Sequence, residues 1–159
     1  MAWELLTNTL LTDTSSTLTS ESFDAKENLV IQFYKVGANV NPLMTFNGDT
    51  SGSNYASRYS SNGASDVTLV NQTKIEFVRA GSTPTSYAII SISNISDKEK
   101  MVIIQDMEET SSGSGTAPAI MQVVGKWVNT SSSITSVSFA NDDSGSYGAG
   151  SFINVYGTD

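Results

Sequence analysis

Short apolar runs separated by clusters of turn-forming residues are the feature that most restricts the fold of this sequence. Within residues 87–95, Ile90 and Ile92 fall on one side of an extended chain, and Ser91 and Ser93 fall on the other. This period of two residues is typical of a half-buried β-strand. Comparable apolar runs occur at residues 29–34, 74–78, 101–107, 119–128, 134–139 and 152–156.

The segments between these runs are rich in Gly, Asn, Asp, Ser and Pro, which tolerate positive φ or bond to their own backbone. They lie at residues 47–52, 61–63, 80–84, 111–115 and 141–150. Eight to ten short strands at this spacing predict an all-β protein built as an antiparallel sandwich or barrel. The best helical candidate, residues 24–28, is too short to change that prediction.

The chain length predicts a single domain over residues 1–159. Residues 1–20 allow two interpretations, a first strand near residues 3–11 or an arm that docks on another subunit. The N-terminus lacks a basic region followed by a long apolar region, so no secretory signal peptide is predicted. No apolar run approaches the ~20 residues of a membrane span.

Composition argues against most enzyme classes, because the sequence contains neither histidine nor cysteine. It therefore has no imidazole base, no thiolate nucleophile and few ligands for zinc. A net charge of −8 disfavours nucleic acid and anionic membranes as partners. We expect a non-enzymatic protein without a cofactor or metal.

Acidic residues supply the main alternatives to that expectation. Asp106 and Glu108 lie two apart on a predicted strand and would share one face, as a glycosidase pair could. A solvated strand end is the favoured interpretation of this pair. The loops at residues 47–54 and 141–143 carry oxygen ligands that could suit calcium, but we interpret both as turns.

Aromatic residues offer a binding surface. The candidate partner or glycan surface comprises Asp49, Tyr55, Arg58, Tyr59 and Tyr147. For its tyrosines, packing beneath a loop and display of the ring to a partner remain open alternatives. Trp127, in contrast, is predicted to anchor the core.

Three segments together resemble a group of small proteins of tailed phages and related environmental viruses. They are Phe46-Asn47-Gly48-Asp49 with Ser53-Asn54-Tyr55, then residues 125–130 leading into 134–137, and finally residues 148–152 with 155–157. The resemblance spans about residues 29–157. It implies a lectin-like jelly-roll sandwich and carries no established functional residue.

The resemblance also implies a role in virion structure. The expected function is a capsid decoration or head-fibre subunit on the particle exterior. The expected partners are further copies of the chain, with a trimer as one arrangement, and major capsid or fibre proteins. The alternative is a carbohydrate- or receptor-binding domain of a tail fibre that contacts host surface glycans.

Overall fold

The computed structural model describes residues 2–77 and 85–159, and within these ranges the chain forms twelve β-strands and no helix. The strands are Glu4–Leu10 (β1), Thr17–Thr19 (β2), Asn28–Val36 (β3), Pro42–Phe46 (β4), Tyr55–Ser61 (β5), Val67–Gln72 (β6), Ile75–Glu76 (β7), Thr85–Ser93 (β8), Lys100–Glu108 (β9), Ala119–Trp127 (β10), Val137–Asn141 (β11) and Phe152–Thr158 (β12). The all-β prediction is confirmed. The predicted turn at residues 80–84 and position 78 of one apolar run lie outside the described residues.

The strands form two antiparallel sheets. The larger sheet has eight strands in the order β1-β12-β3-β8-β9-β10-β5-β6, and the smaller has four in the order β2-β11-β4-β7. Every strand pairing within each sheet is antiparallel. The predicted antiparallel β-sandwich is therefore confirmed.

Two hairpins widen the larger sheet. Without the β5–β6 and β9–β10 hairpins, the strand orders reduce to β1-β12-β3-β8 and β2-β11-β4-β7. The two hairpins pair with each other through β5 and β10 and add four strands beyond β8. The sheet consequently has a broad outer surface on the side away from the smaller sheet.

One hydrophobic core fills the space between the sheets. The Phe33 ring of β3 stacks on the Phe139 ring of β11 with a centroid separation of 4.3 Å, and Phe77 meets both rings edge-on. A second aromatic group contains Phe46, Tyr55 and Trp127, whose ring centroids lie 5.8 to 6.4 Å apart. Trp127 is fully buried, which confirms its predicted role as a core anchor.

Strand β11 begins later than predicted. The apolar run 134–139 predicts a strand from residue 134, yet β11 starts at Val137. The amides of residues 134–136 are taken by asparagine side chains, because Asn94 Oδ1 accepts from Ile134 and Asn47 Oδ1 accepts from Thr135 and Ser136. These amides cannot also serve a regular ladder.

The N-terminal segment forms a strand within its own chain. Strand β1 pairs with β12 from Glu4 opposite Gly157 to Leu10 opposite Phe152, with one irregularity between Leu5 and Thr7. The C-terminal strand thus lies between β1 and β3 and ties both ends of the chain into the larger sheet.

Candidate functional site

The five residues of the sequence-predicted surface do not form one exposed surface. Tyr55 and Tyr147 are fully buried, so their rings pack inside the sandwich and do not face a partner. Arg58 points outward from β5 and Tyr59 points inward, because neighbouring residues of a strand alternate between its faces. Asp49 lies in the β4–β5 loop, where it is partly buried. A shared glycan surface formed by this set is therefore not what the fold builds.

Asp49 is instead the centre of a structural hydrogen-bond network. Its Oδ1 accepts from the Ser51 amide at 3.0 Å and the Ser51 hydroxyl at 2.7 Å. Its Oδ2 accepts from Trp127 Nε1 at 2.8 Å and Asn54 Nδ2 at 2.9 Å. Both carboxylate oxygens are thus occupied by protein donors, and the loop is fixed to the core tryptophan.

This network changes the acidity of Asp49. Desolvation by burial would raise its pKa, but the hydrogen bonds from Ser51, Trp127 and Asn54 together outweigh that effect and lower the pKa to about 2. The carboxylate therefore stays ionised well below neutral pH and stabilises the loop.

Tyr55 completes the same structural unit from the other side. Its hydroxyl donates to the Asp49 carbonyl at 2.9 Å and accepts from the Phe46 amide at 3.1 Å. Its ring lies 6.4 Å from that of Trp127 and 6.1 Å from that of Phe46. Desolvation raises the pKa of this phenol, so it remains a neutral donor.

The second loop with oxygen ligands, residues 141–143, is also held as a turn. Asn141 Oδ1 accepts from the Asn41 amide at 2.7 Å, and Asn141 Nδ2 donates to the Gly145 carbonyl at 2.7 Å. No group of three or more acidic residues with the spacing of a metal site occurs within residues 2–77 and 85–159.

Asp106 and Glu108 share one face of β9 as predicted, but the expectation of a solvated strand end is wrong. Asp106 is fully buried and Glu108 is nearly so, because β9 continues to Glu108 and both side chains point toward the smaller sheet. Cross-strand pairing places Lys35 and Glu108 on either side of Ser86. The pair thus belongs to a buried polar end of the core.

Lys100 is a buried cation that sequence reasoning missed. Its ammonium donates to the carbonyls of Lys98 at 2.6 Å, Asn129 at 3.1 Å and Ser96 at 3.4 Å. Desolvation lowers its pKa, while the Asp97 carboxylate acts in the opposite direction. Three backbone acceptors around one ammonium indicate a structural clamp on the turns beside β9.

The surface feature most suited to binding lies on the outer side of the larger sheet. We call the outward residues of β8, β9 and β10 the apolar face. It contains Tyr87, Ile89, Met101, Ile103, Met107, Ile120 and Val124, and the aliphatic members among them expose 39 to 56% of their surface. Ser91, Gln105 and Gln122 interrupt the interior of this face, and its other interior side chains are apolar. Large exposed apolar areas are typical of protein interaction sites.

Strand register arranges the apolar face in rows. Tyr87, Met107 and Ile120 stand side by side in one row, and Ser91, Ile103 and Val124 form another. Between these rows lie Ile89, Gln105 and Gln122. Shallow depressions flank the ridge of Met101 and Ile103, one toward β5 and β6 and one toward β3 and Trp3.

The neighbouring part of the same surface is different in chemistry. On β12 and β3, the Phe152 and Tyr34 rings stack with centroids 5.4 Å apart. Beside them Asn154 Nδ2 donates to Gln32 Oε1 at 3.1 Å, and Asn8 of β1 donates to Asn154. We call Asn8, Asn154 and Gln32 the amide row.

The outer side of the smaller sheet carries mainly hydroxyl groups. Thr19, Thr45, Ser136 and Ser138 line a broad depression there, and Thr19 and Ser138 share a hydrogen bond of 2.7 Å. The two outer surfaces of the sandwich therefore differ, one apolar and one polar.

Within the described ranges, no helix has the length and apolar character needed to cross a membrane. No protein-family model matches the chain, and no curated protein or solved structure matches it significantly.

Proposed function

We propose that this protein is a non-enzymatic structural subunit of a virus particle, a capsid decoration or head-fibre protein exposed on the particle exterior. The observation that carries the proposal is the apolar face on a sheet widened by two inserted hairpins. A stable sandwich that presents such a face is suited to binding another protein surface. The viral context comes from the motif resemblance described above.

The environments of the three candidate acidic residues support an assembly role over catalysis. The loop carboxylate Asp49 is held by four protein donors, and Asp106 and Glu108 point into the core. The surroundings of each carboxylate therefore suit a role in stabilising the fold. The most exposed functional surface is instead the apolar face.

We also propose that the sandwich is a jelly roll. The order β1-β12-β3-β8 opposite β2-β11-β4-β7 pairs strands from the two ends of the chain, as an eight-stranded double Greek key does. On this proposal the β5–β6 and β9–β10 hairpins are insertions into the jelly roll.

The test of the proposed function is association with particles. Mass spectrometry of purified virions should detect the chain, and the purified protein should co-sediment with matching capsids. Absence from virions together with failure to bind capsids would contradict the proposal. Ile103→Asp tests whether the apolar face contributes, with Thr17→Asp on the smaller sheet as the control of equal charge.

A second candidate function is recognition of a glycan or receptor, favoured by the amide row beside the Phe152–Tyr34 stack. Amide groups that bond in series and half-exposed rings suit polar ligands with flat apolar faces. A glycan array is the test, and Gln32→Ala should abolish any signal. No binding on the array would remove this candidate.

A further inference from the structure

We propose that the apolar face is the contact surface of a two-fold symmetric dimer of this chain. The proposal rests on the assembly role proposed above and names its first partner, a second copy. It is a separate claim from capsid binding, because a dimer would form in solution without a particle.

The face is suited to pairing with itself. The strand register aligns side chains in rows that run across β8, β9 and β10. A two-fold axis that runs parallel to the strands, close to β9, places each row opposite the same row of the second copy. The Tyr87 side of one copy then meets the Ile120 side of the other, and Ile103 lies near its counterpart. One continuous face matched with itself is an isologous interface, whereas a trimer joins two different patches.

The footprint has the size of a stable interface. Strands lie ~4.8 Å apart and residues rise ~3.4 Å, so the three nine-residue strands of the apolar face span about 440 Å². The adjoining strands β3 and β5 bring the span to about 700 Å². Specific interfaces bury ~800 Å² per partner. The surface available on these five strands is therefore close to what a dimer needs.

The distribution of charge also permits two copies to approach. Although the chain carries 16 acidic residues, none points outward within β3, β8, β9, β10 or β5. The outward cations there are Lys126 and Arg58, which pair with Glu99 at 2.7 Å and Asp66 at 3.7 Å. Burial of this face thus leaves no carboxylate unpaired at its centre, and net repulsion between two acidic chains acts at its margins.

Charge at the margins predicts how salt acts on the dimer. Glu99 and Glu109 flank the two ends of β9 and would approach their counterparts. Screening weakens this repulsion, and it leaves burial of apolar side chains intact. Dimerisation should therefore strengthen as salt concentration rises, which is opposite to the behaviour of an association driven by opposite charges.

Sedimentation of the full chain tests the proposal. Interfaces of this size have Kd values of about micromolar or lower. At ~100 μM protein the wild type should therefore have twice the monomer mass. Ile103→Asp places two carboxylates in the contact and should raise the dimer Kd at least about 100-fold. Thr17→Asp should leave the Kd unchanged. Because Ile103 is an exposed side chain in the single chain, its variant should retain the thermal unfolding midpoint of the wild type at protein concentrations where both are monomeric.

Cross-linking provides a second measurement that does not depend on Ile103→Asp. The chain has no cysteine, so Ile103→Cys introduces a single thiol near the proposed axis. A bis-maleimide with a spacer close to the ~10 Å separation of packed sheets should yield a covalent dimer. Thr50→Cys, in an exposed loop, should not.

A wild type that stays monomeric at ~100 μM, or that forms a trimer, would overturn the dimer. So would a dimer that resists Ile103→Asp and fails to cross-link through Ile103→Cys. Capsid binding by a monomer would overturn the dimer and support the proposed function. A dimer that is absent from virions would support the dimer and contradict the proposed function.

Discussion

At the scale of single residues, Asp49 shows how a residue chosen for its chemistry serves the fold. A carboxylate in a Gly-rich loop suggests a ligand site, yet all four of its hydrogen bonds come from Ser51, Asn54 and Trp127. The loop, the core tryptophan and the start of β5 thereby become one unit.

Replacement of Asp49 should reveal this role through pH. The pKa of Asp49 is about 2 in the folded chain and 3.8 in the unfolded reference. Its ionised form therefore favours folding above pH 3.8, and this contribution is lost as the pH falls toward 2. Asp49→Asn should lower the free energy of unfolding by about 1 to 3 kcal/mol at pH 7, and by less at pH 2.

Urea denaturation at both pH values measures the effect. The control is Asp66→Asn, because its exposed ion pair with Arg58 contributes little, about 0 to 1 kcal/mol. Equal losses for Asp49→Asn at pH 7 and pH 2 would show that the charge is not what stabilises the loop.

Sequence reasoning succeeds at residues whose role follows from local pattern and fails where distant partners decide. Burial of Trp127 follows from strand alternation. The Asn47 turn follows from its preference for positive φ, which the structure has at 52°. The burial of Tyr55 and Tyr147 depends on ring contacts with Trp127 and Phe33, which are distant in sequence, so no local pattern indicates it. Lys100, in contrast, alternates in phase with the inward Val102 and Ile104 of its own strand.

At the scale of elements, the loop at residues 141–150 is a packed part of the sandwich. Gly145 lies so close to the turn after β3 that an added Cβ would come within 2.0 Å of the Ala38 carbonyl oxygen. The Gly145 amide donates to the Asn39 carbonyl at 2.9 Å. The glycine therefore permits close contact between two backbone segments.

Gly145→Ala should accordingly destabilise the protein by about 2 kcal/mol or more, since the clash is with backbone that cannot move alone. Thermal unfolding measures this change. Gly115→Ala is the matched control, because nothing lies within 4 Å of its added Cβ, and its stability should stay equal or rise slightly. Similar midpoints for both variants would contradict the packed loop.

Element prediction from sequence is strongest for long alternating strands. Strands β3, β8, β9, β10 and β12 overlap the predicted runs, whereas β2, β4, β5 and β6 have no comparable run. The sequence does indicate that β9 and β10 are apolar on both faces. Consecutive apolar residues at 102–104 and 123–124 are typical of a strand covered on both sides.

At the scale of the whole molecule, the β5–β6 and β9–β10 hairpins widen the sheet that carries the apolar face. The β9–β10 hairpin contributes Met101, Ile103, Met107, Ile120 and Val124 to the apolar face, and β5 extends the sheet beside it. The two hairpins thereby enlarge the sheet and supply most of the exposed apolar side chains. We propose that another protein surface, first of all a second copy of the chain, covers this face in the functional assembly.

Methionine oxidation tests this claim most directly, because the chain carries its own internal standard. Met101 and Met107 expose about half of their surface on the apolar face, whereas Met44 and Met121 are buried in the core. Peroxide converts accessible methionine to the sulfoxide, which mass spectrometry locates. We predict that Met101 and Met107 oxidise slowly in concentrated protein and faster on dilution, while Met44 and Met121 remain protected throughout. Rapid oxidation of Met101 and Met107 at every protein concentration, and on assembled particles, would contradict burial of the apolar face.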